Sequence, residues 1–140
     1  MPEPSLLSTG FLLDGDLFLK AARREPVSPR IQKLLEQTSL PRFLSVVSVW
    51  QLLMGERAGL EGLPSPVLEL IQGERSVLGL QTLPLQEHCL THMDKLQDLG
   101  FSPWDQLLAC QAMEHQLCLI TERPQFHTLP LHRLPLMVTF

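Results

Sequence analysis

Short, continuous runs of apolar residues recur along the chain and predict the strands of a buried sheet. Five strands are predicted, at 11–13, 43–47, within 76–85, at 117–120 and at 136–140. Runs that are apolar throughout, without alternating polar residues, are typical of parallel strands covered on both faces. The run at 117–120, Leu-Cys-Leu-Ile, is the clearest of the five.

Between these runs, apolar residues recur every three to four positions, which predicts helices. Helices are predicted at 17–24, from 29 to about 38, at 48–57, from 64 onwards, at 86–99 and at 102–115. Ser28 and Ser102 are each followed by a proline, which is a strong signal for a helix start. Ser48 stands three residues before Gln51, a spacing that predicts a capping box with Ser48 as the N-cap.

Strands that alternate with helices imply right-handed crossovers, which produce a parallel sheet with helices on both faces. We therefore predict the α/β class, as a three-layer α/β/α sandwich with a central parallel sheet. The chain has 140 residues, and no internal repeat or low-complexity linker divides it. Residues 1–140 are accordingly interpreted as a single domain.

Composition favours a folded protein of the cytoplasm. Hydrophobic residues make up 44% of the chain and charged residues 19%, which suits a compact core and argues against disorder. Residues 1–5 lack the features of a signal peptide, and no apolar run is long enough to span a bilayer, so no membrane is expected. Cys89, Cys110 and Cys118 form no C-x-x-C pair, which favours a reducing compartment. Cys110 and Cys118 are expected to be buried and inert, since neither stands beside an activating base.

The formal net charge of −4 does not suggest a general nucleic-acid-binding protein. Such proteins usually display a basic face that neutralises phosphates. Lys20, Arg23 and Arg24 would share one side of a helix, so they are the best candidates for a local phosphate contact. A solvated helix face explains the same three residues equally simply.

Polar residues follow the predicted strand ends, where ligands collect in open α/β sheets, or open the helices that come next. Seven residues meet this description: Asp14, Asp16, Gln51, Asp105, Thr121, Glu122 and Arg123. The three aspartates also have a structural explanation. Asp14 or Asp16 can cap the following helix, and Asp105 stands at the third position of a capping box that begins at Ser102.

Three segments that carry these residues resemble conserved blocks of PIN domains of the VapC toxin kind, and the resemblance extends over most of the chain. Residues 11–14, Phe-Leu-Leu-Asp, resemble the first strand and first aspartate of that family. Residues 45–55, Ser-Val-Val-Ser-Val-Trp-Gln-Leu-Leu-Met-Gly, resemble its second block. Residues 104–121 are similar to its most specific block, in which an aspartate opens a helix and the next strand ends in threonine; Phe126 matches as well.

The resemblance implies a PIN-like fold and a Mg²⁺- or Mn²⁺-dependent hydrolase that cleaves RNA. It implies Asp14, Asp105 and Thr121 as catalytic residues, with Thr121 orienting water or phosphate. Asp14 and Asp105 would also bind the metal, assisted by Asp16 or Glu122. Carboxylates suit this chemistry because hard divalent ions take oxygen ligands, activate water and stabilise charge on the leaving oxygen.

Two positions depart from the family pattern. Gln51 stands where the family usually has glutamate, and Arg123 stands where it commonly has aspartate. A pair of unit charges about 5 Å apart is worth roughly 3 kcal/mol at an effective dielectric constant near 20, so these two changes weaken metal binding. We expect a single weakly held Mg²⁺ or none, and nuclease activity that is weakened or lost.

Two hypotheses from different classes follow. In the first, the chain is a VapC-like endoribonuclease with a rebuilt metal site. In the second, it is a non-catalytic PIN-fold interaction module that forms a homodimer or binds a small antitoxin-like protein, and Arg123 forms an ion pair with Asp14 or Asp105. A separate alternative is a zinc site at His88 and His92, although the apolar spacing of His92 favours helix packing.

Overall fold

The strands lie in one parallel sheet. A computed structural model describes residues 10–37, 39–60, 62–63, 66–97, 99–128 and 137–139. Within these residues the strands are β1 (Phe11–Leu13), β2 (Arg42–Ser45), β3 (Leu80–Leu83), β4 (Cys118–Ile120) and β5 (Met137–Thr139). Their order is β3-β2-β1-β4-β5, and each neighbouring pair is parallel. The prediction of a parallel sheet is confirmed; residues 136 and 140 of the predicted last strand lie outside the described residues.

The helices follow the predicted order along the chain. They are α1 (Gly15–Ala22), α2 (Pro29–Gln37), α3 (Val46–Arg57), α4 (Val67–Val77) and α5 (Pro103–His115), with 3₁₀ helices at Glu87–Leu96 and Pro124–Thr128. The predicted start of the fourth helix at 64 lies outside the described residues. In the part of the chain that is described, no helix is both long and apolar enough to cross a bilayer.

Side chains of the strands alternate between two cores, one on each face of the sheet. On β1, Leu12 belongs to one core and Phe11 and Leu13 belong to the other, and all three are buried. The core around Leu12 packs α5 and the first 3₁₀ helix against the sheet, and the other packs α1, α2 and α4. Burying each such Leu or Phe stabilises the fold by roughly 1.5–3 kcal/mol. The predicted three-layer α/β/α arrangement is therefore confirmed.

The start of α3 was predicted wrongly. Strand β2 ends at Ser45, and the hydroxyl of Ser45 accepts a hydrogen bond from the backbone N–H of Val47 at 3.0 Å, which makes Ser45 the N-cap. Ser48 lies one turn inside the helix and is buried. The capping box of Ser48 and Gln51 is thus not formed, because an earlier serine captures the free N–H groups of the first turn.

The segment predicted as a helix at 86–99 is helical but tighter than an α-helix. It forms a 3₁₀ helix over Glu87–Leu96, in which Cys89 and Leu96 are buried. Runs of 3₁₀ helix longer than about four residues are uncommon, so tertiary contacts must hold this one. The most extensive of these contacts join it to α5.

Candidate acidic site at the carboxyl edge of the sheet

Asp14 lies at the carboxyl end of β1, where the chain turns into α1. It is the N-cap of that helix, and its Oδ1 accepts a hydrogen bond from the backbone N–H of Leu17 at 2.8 Å. Its Oδ2 accepts a hydrogen bond from the hydroxyl of Thr121, which follows the neighbouring strand β4. Asp14 and Thr121 are both buried. The pairing of β1 with β4 therefore brings together two of the predicted catalytic residues.

Asp14 titrates far from its ordinary range. Burial raises the pKa of Asp14 from 3.8 to about 6, against the hydrogen bonds from Thr121 and Leu17, which lower it. The nearby charge of Asp16 raises the pKa further, and that of Arg123 lowers it. Hydrogen bonds from a hydroxyl and an amide favour the ionised carboxylate, but here they do not outweigh the loss of solvent.

Asp105 is the third residue of α5, and the N-cap of that helix is as predicted. The hydroxyl of Ser102 accepts a hydrogen bond from the backbone N–H of Asp105 at 3.3 Å. The carboxylate of Asp105 has only 2% of its side-chain surface exposed. Nη1 of Arg123 donates to its Oδ1 at 2.5 Å, so the buried carboxylate is paired with a guanidinium.

Arg123 reaches more than one acid of the site. Its Nε lies 3.5 Å from Oδ2 of Asp16, and its backbone N–H donates to the Thr121 hydroxyl oxygen at 3.0 Å. The amide of Gln125 also lies against the guanidinium. With its oxygen facing the guanidinium, it accepts from Nη2 at 2.6 Å and from Nε at 3.0 Å. The family pattern did not draw attention to Gln125, because nothing in the sequence marks it.

Glu122 points away from Asp14 and Asp105. One of its carboxylate oxygens is 2.8 Å from Nζ of Lys20, and the other accepts from the backbone N–H of Ser28 at 3.2 Å. These contacts link the segment that follows β4 to α1 and to the start of α2. The Glu122 hydrogen bond raises the pKa of Lys20.

The three basic candidates for a phosphate contact, Lys20, Arg23 and Arg24, do not act together. Arg24 forms an exposed ion pair with Glu74 at 3.1 Å, and Lys20 is paired with Glu122. Arg23 is exposed. The three residues therefore fit a solvated helix face with individual ion pairs better than they fit a joint phosphate site.

Gln51 and Ser48 lie beside the start of α1. A Cβ placed on Gly15 would be 3.6 Å from Cβ of Ser48 and 4.0 Å from Oε1 of Gln51, so α3 packs closely on the first turn after Asp14. The buried hydroxyl of Ser48 has no hydrogen-bond partner among the described residues. Gln51 therefore stands near the site, where it contributes an amide and no charge.

A second buried polar group supports the same edge and was missed from the sequence. Gln111 is fully buried on α5, and its Oε1 accepts a hydrogen bond from the Ser45 hydroxyl at 2.5 Å. Its Nε2 donates to the backbone oxygen of Pro84 at 3.1 Å, just beyond β3. A lone polar residue on the apolar side of α5 is the signal that could have identified it.

The donor set does not fit a divalent metal ion. A metal would need free carboxylate oxygens at the site, but Asp105 is paired with Arg123 and Asp14 is held by Thr121 and Leu17. No group of three or more His, Cys, Asp or Glu side chains within the described ranges is arranged to hold a metal ion.

His88 and His92 do not form a zinc site with any third ligand among the described residues. His88 Nδ1 and His92 Nε2 contact the two carboxylate oxygens of Glu114, at 2.7 and 2.8 Å, and Lys95 Nζ lies 3.0 Å from His92 Nδ1. Hydrogen bonds from His92 and His88 lower the pKa of Glu114. The two histidines therefore fasten the first 3₁₀ helix to α5.

All three cysteines are buried, as expected for Cys110 and Cys118, and none forms a disulfide within the described residues. Burial raises the pKa of Cys110 to about 11, so its thiol stays protonated and unreactive at neutral pH.

Comparison with known proteins establishes the fold. No protein-family model matches the sequence, and no curated protein matches it. The chain is similar to the DNA-bound VapBC structure from Salmonella typhimurium, at 22% identity and a TM-score of 0.67 over 93% of this chain and 96% of that one. It is also similar to VapBC2 from Rickettsia felis bound to a DNA fragment from their promoter, at 16% identity and a TM-score of 0.66 over 93% and 97%. A third similar structure is VapBC-1 from nontypeable Haemophilus influenzae, at 17% identity and a TM-score of 0.64 over 93% of this chain and 96% of that one. The PIN-like fold expected from the sequence is thereby confirmed.

Proposed function

We propose that this chain is a VapC-type PIN-domain protein in which metal-dependent RNA cleavage is weakened or lost. The observation that carries the proposal is the 2.5 Å contact between the Arg123 guanidinium and Asp105. The resemblance names Asp105, together with Asp14, as a ligand of the catalytic Mg²⁺ or Mn²⁺. The proposal covers residues 1–140 as one cytoplasmic domain, and its buried thiols, which form no disulfide within the described residues, suit a reducing compartment.

Charge and geometry both support weak metal binding. Mg²⁺ demands nearly octahedral oxygen coordination and gives up its water reluctantly, so it competes poorly for a carboxylate that already accepts a short, charged hydrogen bond. Gln51 supplies no compensating charge. Asp16 remains exposed and only loosely paired with Arg123, so it is the acid most available to a metal.

The resemblance puts forward Asp14, Asp105 and Asp16 as metal ligands, but a metal could use this set only after Arg123 had released Asp105. Thr121 would orient water or phosphate through its hydroxyl, which already bonds to Asp14. Glu122 would have to leave Lys20 and Ser28 before it could assist. For that reason we assign Glu122 a lesser part than Asp16.

The test combines calorimetric titration of Mg²⁺ and Mn²⁺ with an RNA-cleavage assay on the same samples. We expect the wild type to show weak or no metal binding and little cleavage. The variant Gln51→Glu/Arg123→Asp restores both acids and should gain metal binding. Asp14→Asn/Asp105→Asn is the negative control, since contaminating nuclease would leave its activity equal to that of the wild type.

A clear result in the other direction would end the proposal. Strong metal binding and vigorous RNA cleavage by the wild type, both absent from Asp14→Asn/Asp105→Asn, would identify a fully active nuclease. The protein would then resemble the family in activity as well as in fold.

A second candidate function is that of an interaction module, supported by an exposed apolar stripe on α3. Val46, Trp50 and Met54 are spaced four residues apart, so they share one helix face, and they are 41%, 54% and 43% exposed. Trp104 extends the stripe, with its ring centroid 4.6 Å from that of Trp50. Exposed tryptophan and methionine are enriched in protein interfaces.

For this module we propose a small antitoxin-like protein as partner, with a second copy of the chain as the alternative. One of the similar structures is a toxin-antitoxin complex from Klebsiella pneumoniae, which supports the first choice. Sedimentation of the wild type, of Trp50→Ser/Met54→Ser and of the control Val77→Ser, which changes an exposed valine on α4, tests self-association. A dimer lost only in the double variant would identify the stripe as a homodimer interface. A monomer that binds the product of a small neighbouring gene would support the antitoxin-like partner.

A further inference from the structure

We infer that Arg123 acts as a tethered cation that replaces a metal ion in holding the acidic site together. The inference concerns what neutralises the carboxylates, and it does not rest on the proposed function. Loss of nuclease activity and replacement of a metal ion by Arg123 are separate claims, because a protein without nuclease activity need not use an arginine in place of a metal. The unfolding experiment described below distinguishes them.

The first support is that Arg123 connects separate elements of the fold. Its side chain contacts Asp105 on α5 at 2.5 Å and lies 3.5 Å from Asp16 on α1. Its backbone N–H donates to the hydroxyl oxygen of Thr121, and that hydroxyl donates to Asp14 at the end of β1. A single residue therefore links Asp14 and Asp16, at the start of α1, to Asp105 on α5, which is the structural task of a bridging metal ion.

The second support is the chemistry of the guanidinium group. It is a planar cation with five N–H donors, and it remains charged at every pH at which the protein is folded. Gln125 is the neutral acceptor beside it, with contacts of 2.6 and 3.0 Å in the orientation that faces its oxygen towards the guanidinium. The group thus has acidic partners on more than one side and a neutral acceptor, as a cation of fixed position requires.

The third support is the covalent tether. Arg123 is only two residues beyond Thr121, so its guanidinium cannot diffuse away from the site. Short flexible tethers give effective concentrations on the order of millimolar or more, so the guanidinium is present at the site at a concentration comparable to that of free Mg²⁺ in the millimolar range. Only 22% of the Arg123 side chain is exposed, which further restricts solvent and metal access.

Thermal unfolding in the presence of EDTA or millimolar MgCl₂ tests the inference. The variants are Arg123→Gln, which removes the charge but keeps most of the side-chain length, and Arg123→Lys, which keeps the charge without the fork. Arg24→Gln is the matched control, because it removes an arginine from the exposed ion pair with Glu74. Arg123→Gln/Asp105→Asn removes both members of the buried pair.

We expect the wild type and Arg24→Gln to unfold at temperatures that do not depend on Mg²⁺. Arg123→Gln should unfold several degrees lower in EDTA and recover part of the difference in Mg²⁺, with at least a tenfold gain in Mg²⁺ affinity by calorimetry. Arg123→Lys should lie between them. The gain should disappear in Arg123→Gln/Asp105→Asn, because the bound metal needs that carboxylate.

Three outcomes would overturn the inference. The first is a wild type that Mg²⁺ stabilises as much as it stabilises Arg123→Gln. The second is an Arg123→Gln protein that is as stable as the wild type and indifferent to Mg²⁺. The third is an Arg123→Gln protein that is destabilised or unfolded, as judged by near-ultraviolet circular dichroism, with no recovery in Mg²⁺; Arg123 would then be an ordinary buried ion-pair partner.

Discussion

The two ends of α5 each carry a carboxylate held by side chains from another element, and they differ in solvent exposure. At the first turn, the Asp105 side chain is 2% exposed and is paired with Arg123. In the last turn, Glu114 is 22% exposed and contacts His88, which is 74% exposed, and His92, which is 17% exposed. Both carboxylates have partners, but only Asp105 would be left in a dry environment if its partner were removed.

The helix dipole increases the difference between the two ends. A carboxylate is favoured in the first turn of a helix and disfavoured in the last turn. Asp105 is therefore stabilised by its position, whereas Glu114 depends on His88 and His92 to offset the carbonyl groups at the end of α5. Contacts that are similar in number therefore contribute very differently to the stability of the protein at the two ends of α5, because water screens the contacts of Glu114 but not those of Asp105.

The largest expected effect comes from removal of the buried partner. Arg123→Ala should lower the free energy of unfolding by roughly 3–5 kcal/mol, since it leaves the buried Asp105 carboxylate without its charged partner. Urea unfolding at neutral pH measures this loss. Arg123→Ala/Asp105→Asn is the control, and it should recover much of the stability because no buried charge remains. If Arg123→Ala were nearly as stable as the wild type, burial of Asp105 would not make its contact more important for stability than the exposed contacts of Glu114.

The pH dependence of Asp14 sharpens the comparison at the same site. The pKa of Asp14 is raised from 3.8 to about 6 in the folded protein, so the folded state holds a proton that the unfolded chain releases. This contribution is fully present below the ordinary pKa and is lost as the pH rises through about 6. Relative to Asp14→Asn, the wild type should lose up to about 3 kcal/mol of stability between acidic and neutral pH.

Urea unfolding of the wild type and of Asp14→Asn at several pH values from mildly acidic to neutral measures the difference. Glu69→Gln is a useful control, because Glu69 is an exposed acid on α4 that is not among the groups acting on Asp14, so the substitution should alter the profile little. Parallel profiles for the wild type and Asp14→Asn would show that burial does not raise the pKa of Asp14.

A neutral buried contact should have an intermediate effect. Gln111→Leu removes the partner of the Ser45 hydroxyl and the donor to the Pro84 carbonyl, and it should cost about 1–3 kcal/mol. Gln32→Leu on the exposed face of α2 is the control and should change the free energy of unfolding little. Equal effects of the two substitutions would mean that the buried network around Gln111 contributes no more than a surface amide does.

The smallest effect is expected at the exposed end of α5. Glu114→Gln removes the carboxylate that contacts both His88 and His92 but leaves an amide whose oxygen can still accept a hydrogen bond from one of them. Thermal unfolding at low and high salt should show a small loss that shrinks as salt is added, whereas the loss in Arg123→Ala should persist. A loss at Glu114 that is larger than that at Arg123 would reverse the comparison.

Most of the fold could be predicted from local sequence signals. The apolar runs located the strands, and Ser102 followed by Pro103 located the start of α5, because both signals act over a few neighbouring residues. Where two signals competed, local reasoning failed. Ser45 and Ser48 are both acceptable N-caps, and the choice of Ser45 follows from where β2 leaves the sheet, which depends on its pairing with β1 and β3.

The tight 3₁₀ helix at Glu87–Leu96 was beyond local signals for a similar reason. Its apolar periodicity is helical, but its tighter winding is stabilised by contacts with α5. These include the contacts of His88 and His92 with the carboxylate of Glu114. Those partners lie 26 and 22 residues away along the chain. No window of sequence contains both sides of that interaction.

The sequence by itself determined the order of the elements, the parallel sheet, and the presence of Asp14 and Thr121 at the carboxyl ends of two strands, because apolar periodicity and capping act locally. Only the tertiary structure decided which partner each charged side chain takes. Arg123 turns to Asp105, 18 residues away, and its neighbour Glu122 turns to Lys20, 102 residues away. Adjacent residues beyond the same strand end thus diverge, because each charge is drawn to the nearest opposite charge that the packing of α1 and α5 leaves within reach.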